Sequence, residues 1–127
     1  MLSPWQHWAL AFTFTQAVEI PIYRRMLRVS IPKAFGASAL THPVVWFLMP
    51  SLADWLFAKM ASRGMAIVHQ EVFRTAAFAL LAEGFAVLAE ALYFRALKAP
   101  RPLLASLAAN GASALLGYLC WRLTGFP

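Results

Sequence analysis

Apolar runs of about 20 residues alternate along the chain with short stretches that hold most of its charged residues. A helix of about 20 predominantly apolar residues can cross the hydrocarbon core of a bilayer. The pattern therefore predicts an all-α, polytopic membrane protein, a four-helix bundle in one domain that covers residues 1–127. The four predicted transmembrane helices run from about Pro4 to Tyr23, Ala34 to Met49, Val72 to Leu97 and Leu103 to Trp121.

The connection between the second and third helices carries a shorter pattern. Leu52, Trp55, Leu56 and Met60 recur at helical spacing, and Lys59 lies off that face. Such a pattern is typical of an amphipathic helix that lies on the membrane surface. We therefore expect a short interfacial helix after Pro50.

Two prolines interrupt the apolar runs. Pro21 is expected to end the first helix near Tyr23, because proline lacks a backbone donor. Pro43 follows His42 within the second predicted helix, where it should break the backbone hydrogen-bond ladder.

Composition supports the membrane assignment. The chain is 61% hydrophobic, whereas an average soluble domain has roughly 45–50% apolar residues. The net charge of +6 does not indicate nucleic-acid binding, because the basic residues cluster at the ends of the apolar runs rather than along one stripe. The expected partner is the lipid bilayer. Cys120 is the single cysteine, which excludes an internal disulfide and a cysteine-based metal cluster.

The distribution of Lys and Arg predicts an orientation. Seven basic residues flank the loops after the first and third helices, against four at the opposite ends. The positive-inside rule places the richer loops in the cytoplasm. We expect a multi-pass protein of the bacterial inner membrane with both termini outside. The seven residues are Arg24, Arg25, Arg28, Lys33, Arg95, Lys98 and Arg101.

Polar residues inside the predicted spans are the candidate functional residues. Glu83 and Glu90 are seven residues apart, about two helical turns, so both project from one face. A charged side chain at the bilayer centre costs about 2.5–3.5 kcal/mol even on lenient scales, so this face should meet protein, water or a cation. Glu19, His42 and Asn110 lie in the other three helices.

These five residues predict a site that binds a cation or protons. Counted from the cytoplasmic ends, Glu19 and Glu90 lie near the surface, where we expect them to admit the ion. Glu83, His42 and Asn110 lie deeper and are expected to bind it. Glu83, Glu90 and His42 are also candidate ligands of a divalent metal ion, which would be the cofactor. The alternative for His42 is a hydrogen-bonded histidine beside a proline kink.

The favoured function is a small transporter or channel for that cation, which is not an enzymatic role. One alternative is an accessory or scaffold subunit of a larger membrane complex, whose acids only fix helix packing. A second is a metal-assisted intramembrane hydrolase that uses His42 with Glu83 or Glu90. No nucleophile-elbow motif surrounds the serines in the spans. A homodimer or a larger complex is expected, because four short helices leave little room for a pathway.

A resemblance follows from these motifs. Glu-x-Pro, Thr-His-Pro, Glu-Gly with a second Glu, and Ser-x-x-x-Asn-x-x-Ser resemble segments of small uncharacterised bacterial four-helix membrane proteins. The resemblance implies a four-helix integral membrane fold and no transferable activity. Small multidrug transporters also place a glutamate in the first of four helices. Here that glutamate lies near the helix end rather than its middle, so their function is not carried over. The residues concerned are Glu19, Pro21, Thr41, His42, Pro43, Glu83, Gly84, Glu90, Tyr93, Ser106, Asn110, Ser113 and Gly117.

Overall fold

The computed structural model describes residues 3–125, and within that range the chain is all helical. Five α-helices are joined by a π-helical turn (Val44–Leu48), a short 3₁₀ helix (Ala66–His69) and tight loops. The α-helices are α1 (Pro4–Leu27), α2 (Ile31–Pro43), α3 (Met49–Ala61), α4 (Glu71–Ala96) and α5 (Pro102–Thr124).

Helix α1 begins at a capping box and runs through its proline. The Ser3 side chain accepts a hydrogen bond from the Gln6 backbone, and the Gln6 side chain accepts one from the Ser3 backbone. The prediction that Pro21 ends this helix is wrong, because α1 continues to Leu27 and is capped by Arg28 in the left-handed conformation. Tyr23 and Leu27, beyond the proline, are both buried, and this packing holds the last turns in place.

Helices α2 and α3 form one continuous helical stretch of 31 residues, Ile31–Ala61. The predicted backbone break is found as a π-helical turn directly after Pro43, in which the Met49 N–H donates to the Val44 carbonyl. The predicted separate interfacial helix is not found, because residues 51–60 belong to α3. Pro50 follows the π-helical turn, where the ladder is already displaced, so its missing donor does not end the helix.

Helix α3 packs along the beginning of α4. Ala53 and Phe57 are buried, while Leu52 and Trp55 on the predicted surface-binding face are exposed. The Phe57 and Phe73 rings meet edge to face at 6.4 Å, and Arg74 pairs with Asp54. Leu56 and Met60, also on the predicted face, are half-buried, so the face that anchors α3 lies beside the predicted face and overlaps it at one edge.

Neighbouring helices pack in the order α1, α2, α4, α5, and α5 returns to α1. The buried apolar cluster lies at the end where α1 and α4 finish. Small side chains on α2 and α5 let Tyr23 and Phe94 meet there, with ring centroids 4.6 Å apart. At Gly84 no neighbouring helix comes close, since among the described residues no atom outside the local helix backbone lies within 4 Å of a Cβ built there.

In the part of the chain that the structure describes, three stretches are long and apolar enough to cross a membrane: Ile31–Ala61, Glu71–Ala96 and Pro102–Thr124. These agree with three of the four predicted spans. Helix α1, with 24 residues, is also long enough but carries more polar side chains, so length and composition do not show a fourth span.

Candidate functional site

Polar side chains from the four packed helices meet in two layers that are one helical turn apart. Residues three or four positions apart lie on the same helix face, so each of α1, α2 and α5 supplies one residue to each layer. The Glu19 layer consists of Glu19, Ser38 and Ser113. The Glu90 layer consists of Tyr23, Thr41, Glu90 and Asn110.

The Glu19 layer surrounds a carboxyl group that is only 1% exposed. The Ser38 hydroxyl donates to one oxygen of Glu19. The Ser113 hydroxyl donates to the other at 2.8 Å. One glutamate thus links α1 to both of its neighbours, α2 and α5.

The Glu90 layer surrounds a second carboxyl group, also 1% exposed. Oε1 of Glu90 accepts from the Thr41 hydroxyl at 2.7 Å. Oε2 accepts from the Asn110 amide at 2.7 Å and from the Tyr23 hydroxyl. The same amide donates to the Ser106 carbonyl at 3.0 Å, which fixes its orientation. Glu90 is therefore the point at which all four helices are joined by hydrogen bonds.

The donors that reach these two buried carboxyl groups are neutral. Within residues 3–125 one ion pair is found, between Arg74 and Asp54, and it lies on the exposed surface away from both layers. Isolated charges are costly inside a membrane protein unless they are paired, protonated or bound to a cation. Among the described residues, Glu19 and Glu90 are therefore held by hydrogen bonds from neutral donors and not by ion pairs.

A cavity of about 440 Å³ adjoins the Glu19 layer, and all four helices line it. Its polar groups come from Thr15, Glu19, His42, Glu83, Asn110 and Ser113. Phe14, Trp46, Tyr118 and Trp121 supply aromatic rings. Glu83 is half-buried and, within the described part of the chain, has no hydrogen-bond partner. Its carboxyl group is therefore the one free to meet a molecule in the cavity.

His42 lies in an aromatic cluster at the wall of this cavity. Its ring is 5.2 Å from that of Phe12 and 6.0 Å from that of Trp46, measured between centroids. Its Nε2 atom is buried and has no hydrogen-bond partner among residues 3–125. The alternative of an Nε2 hydrogen bond to a neighbouring helix is thus not found.

The five predicted site residues are brought together, but not in the predicted grouping. Asn110 binds Glu90 and not the deeper Glu83, because the α4–α5 hairpin brings Asn110 level with Glu90. Glu19, Glu83, His42 and Asn110 all line the cavity, whereas Glu90 is packed behind Asn110. The predicted division between surface acids and deeper residues therefore does not match these contacts.

A metal centre is not assembled in the described part of the chain. Within residues 3–125, no three side chains of His, Cys, Asp or Glu are grouped so that they could hold a metal ion. Glu83, Glu90 and His42, the candidate metal ligands, therefore do not form a three-ligand group.

Several residues of the site were not among the five predicted. Tyr23 and Ser113 were detectable, because they follow Glu19 and Asn110 by one helical turn and so share their faces. Thr41 and Ser38 lie in the polar patch before Pro43. The aromatic lining gave no such signal, because Trp46 and Trp121 are indistinguishable in sequence from rings that face lipid.

No protein-family model, curated protein or solved structure matches this chain, so the candidate site is interpreted from its geometry and chemistry.

Proposed function

We propose that the chain is an integral membrane protein in which α1 crosses the membrane in addition to the three apolar stretches, α2–α3, α4 and α5. The polar residues of α1 make its hydropathy lower than that of the other three spans, but several of them are either buried against other helices or hydrogen-bonded within α1. Gln16, Glu19 and Tyr23 are buried against other helices, and the exposed Thr13 hydroxyl donates to the Ala9 carbonyl at 2.7 Å. A helix of 24 residues spans about 36 Å, enough for the hydrocarbon core.

The proposed topology places both termini outside the cytoplasmic membrane and the seven basic residues inside. It can be tested with single cysteines after Cys120→Ala removes the native thiol. Ser30→Cys lies in the loop between α1 and α2, and Ser62→Cys directly follows α3. A membrane-impermeant maleimide added to intact cells should label Ser62→Cys and spare Ser30→Cys. Labelling of both from the same side would show that α2 and α3 do not cross the membrane between them.

The proposed function is to bind a cation, with protons included, between the helices and to move it across the membrane. The observation that carries this proposal is the inter-helical cavity, in which Glu19 and Glu83 are not paired with any Lys or Arg of residues 3–125. Carboxyl groups in such a place are costly for folding, and cation binding gives them a role. The carboxyl group of Glu83 is proposed to bind the cation. Glu19, which accepts hydrogen bonds from Ser38 and Ser113, lines the same cavity.

Uptake into proteoliposomes tests this function. A potassium diffusion potential would drive uptake of protons, Na⁺ or Mn²⁺, each followed with an internal indicator. Glu83→Gln is expected to lower the initial rate at least about ten-fold, since it removes the charge that meets the cation. Glu71→Gln is the matched control, because Glu71 is on the same helix but exposed at its first turn.

Two results would contradict transport. One is uptake no faster than in empty vesicles for all three ions. The other is wild-type uptake in a Glu19→Gln, Glu83→Gln double variant. A partner that copurifies at fixed stoichiometry, together with no uptake, would favour the accessory-subunit alternative.

A further inference from the structure

The inter-helical cavity joins a carboxyl-bearing wall to an aromatic wall. We propose that it binds an organic cation, an ammonium group attached to an apolar body; this proposal rests on the cation site proposed above and names its ligand class. The proposal stands on the size of the cavity, on its donor set and on the order of its lining residues.

The size of the cavity exceeds what an inorganic ion needs. Its volume of about 440 Å³ lies within the range of small-molecule pockets, about 300–1,000 Å³. Divalent ions need about six oxygen ligands in a tight shell, and residues 3–125 contain no group of three His, Cys, Asp or Glu side chains suited to one. An organic ammonium needs no such shell, because one carboxylate and ring faces suffice.

The lining favours a positive charge over a neutral or negative one. Glu19 and Glu83 contribute carboxyl groups, and among the described residues no Lys or Arg side chain lines the cavity. Phe14, Trp46, Tyr118 and Trp121 add aromatic rings to the lining. The faces of such rings carry a negative potential that attracts ammonium groups. A neutral apolar ligand would leave the Glu83 carboxyl group without a partner, and an anion would be repelled by the ionised carboxylate.

The order of residues along α5 gives the ligand a direction. Asn110 and Ser113 lie at one end of the cavity, next to Glu19. Trp121 lies 11 residues after Asn110, about 16 Å along the helix. Because Asn110 is level with Glu90 and α4 runs antiparallel to α5, Glu83 lies two turns away, level with about Gly117 and so between Ser113 and Trp121. The ammonium group is therefore expected beside Glu83, and the apolar body against the neighbouring rings of Tyr118 and Trp121.

Equilibrium dialysis of radiolabelled benzyltrimethylammonium tests the proposal, with the purified full chain in zwitterionic nanodiscs. We expect saturable binding that Glu83→Gln weakens at least about ten-fold and Glu71→Gln leaves unchanged. Neopentylbenzene, which has a carbon in place of the nitrogen, should not compete. Trp121→Leu should weaken binding several-fold, and its half-exposed ring makes a folding defect unexpected. Circular dichroism would show whether each variant is folded.

Non-saturable binding, equal binding by the Glu83→Gln and Glu71→Gln variants, or full competition by neopentylbenzene would overturn the inference. Its failure can be told apart from failure of the proposed function. Glu83-dependent uptake of protons, Na⁺ or Mn²⁺ without benzyltrimethylammonium binding would overturn the organic-cation inference and leave cation transport standing. Glu83-dependent benzyltrimethylammonium binding without uptake of any ion would support the inference and contradict transport.

Discussion

The substitution Thr41→Val is predicted to destabilise the chain through the Glu90 layer. Valine keeps the branched shape of threonine but replaces the hydroxyl group that donates to Oε1 of Glu90 at 2.7 Å. The other donors to this carboxyl group, Tyr23 and Asn110, both bind Oε2. The substitution therefore leaves a buried carboxyl oxygen without a partner from the described residues.

The expected loss in the free energy of unfolding is about 1.5 kcal/mol. Hydrogen bonds between membrane helices average about 0.6 kcal/mol and reach about 1.7 kcal/mol. Leaving a buried acceptor unsatisfied costs about 1–3 kcal/mol. The expected loss lies near the upper value for hydrogen bonds between membrane helices, because Glu90 is 1% exposed and Thr41 is 4% exposed. Water therefore has little access to the carboxyl oxygen that loses its donor.

Unfolding with sodium dodecyl sulfate in mixed micelles, followed by circular dichroism, measures this loss. Thr13→Val is the matched control, because the Thr13 hydroxyl is exposed and donates within its own helix, to Ala9. We expect the control to change stability by less than about 0.5 kcal/mol. A Thr41→Val loss equal to that of the control would refute the reasoning. So would an undiminished Thr41→Val loss in a Glu90→Gln background, since the two residues would then not be coupled.

Two further substitutions test the packing and the surface. A Cβ at Gly36 would lie 2.7 Å from the Tyr93 hydroxyl oxygen, so Gly36→Ala should lower the free energy of unfolding by about 1 kcal/mol. Adding Tyr93→Phe, which removes that oxygen, should restore the stability. Gly84→Ala is the control and should be neutral or stabilising in the same unfolding assay, because no described atom outside the local helix backbone lies within 4 Å of its Cβ. Asp54→Asn should lower the free energy of unfolding by less than about 1 kcal/mol, and by still less at high salt, because the ion pair between Asp54 and Arg74 is exposed. A larger loss of stability would mean that this pair anchors α3.

The helices and their boundaries were largely predictable from the hydropathy pattern, because apolar runs and loop prolines mark them directly. Helices α4 and α5 lie within a few residues of the predicted positions. The errors came from prolines. Pro21 was expected to end the first helix, but the packing of Tyr23 lets α1 continue. The second helix was expected to stop at Met49, but it runs on through the π-helical turn into α3.

The candidate site was predictable as a set of residues but not as contacts. A polar residue inside a span is expensive, which singled out Glu19, Glu83 and Glu90 from sequence alone. Depth counting could not tell which acid meets Asn110, because that depends on the register between α4 and α5. A shift of one turn, about 5.4 Å, decides between Glu90 and a residue closer to Glu83.

Labelling with a hydrophobic carbodiimide, mapped by mass spectrometry on the chain in lipid bilayers, tests the central claim most directly. The reagent modifies protonated carboxyl groups in apolar surroundings. We predict an adduct on Glu83, which lines the cavity, in excess of any on Glu90, which is packed behind Asn110. At least one of Na⁺, Mn²⁺ and benzyltrimethylammonium should protect Glu83 in a saturable manner. Labelling of Glu90 in preference to Glu83, or labelling of Glu83 that none of these cations reduces and that does not fall as the pH is raised, would contradict a cation site in this cavity.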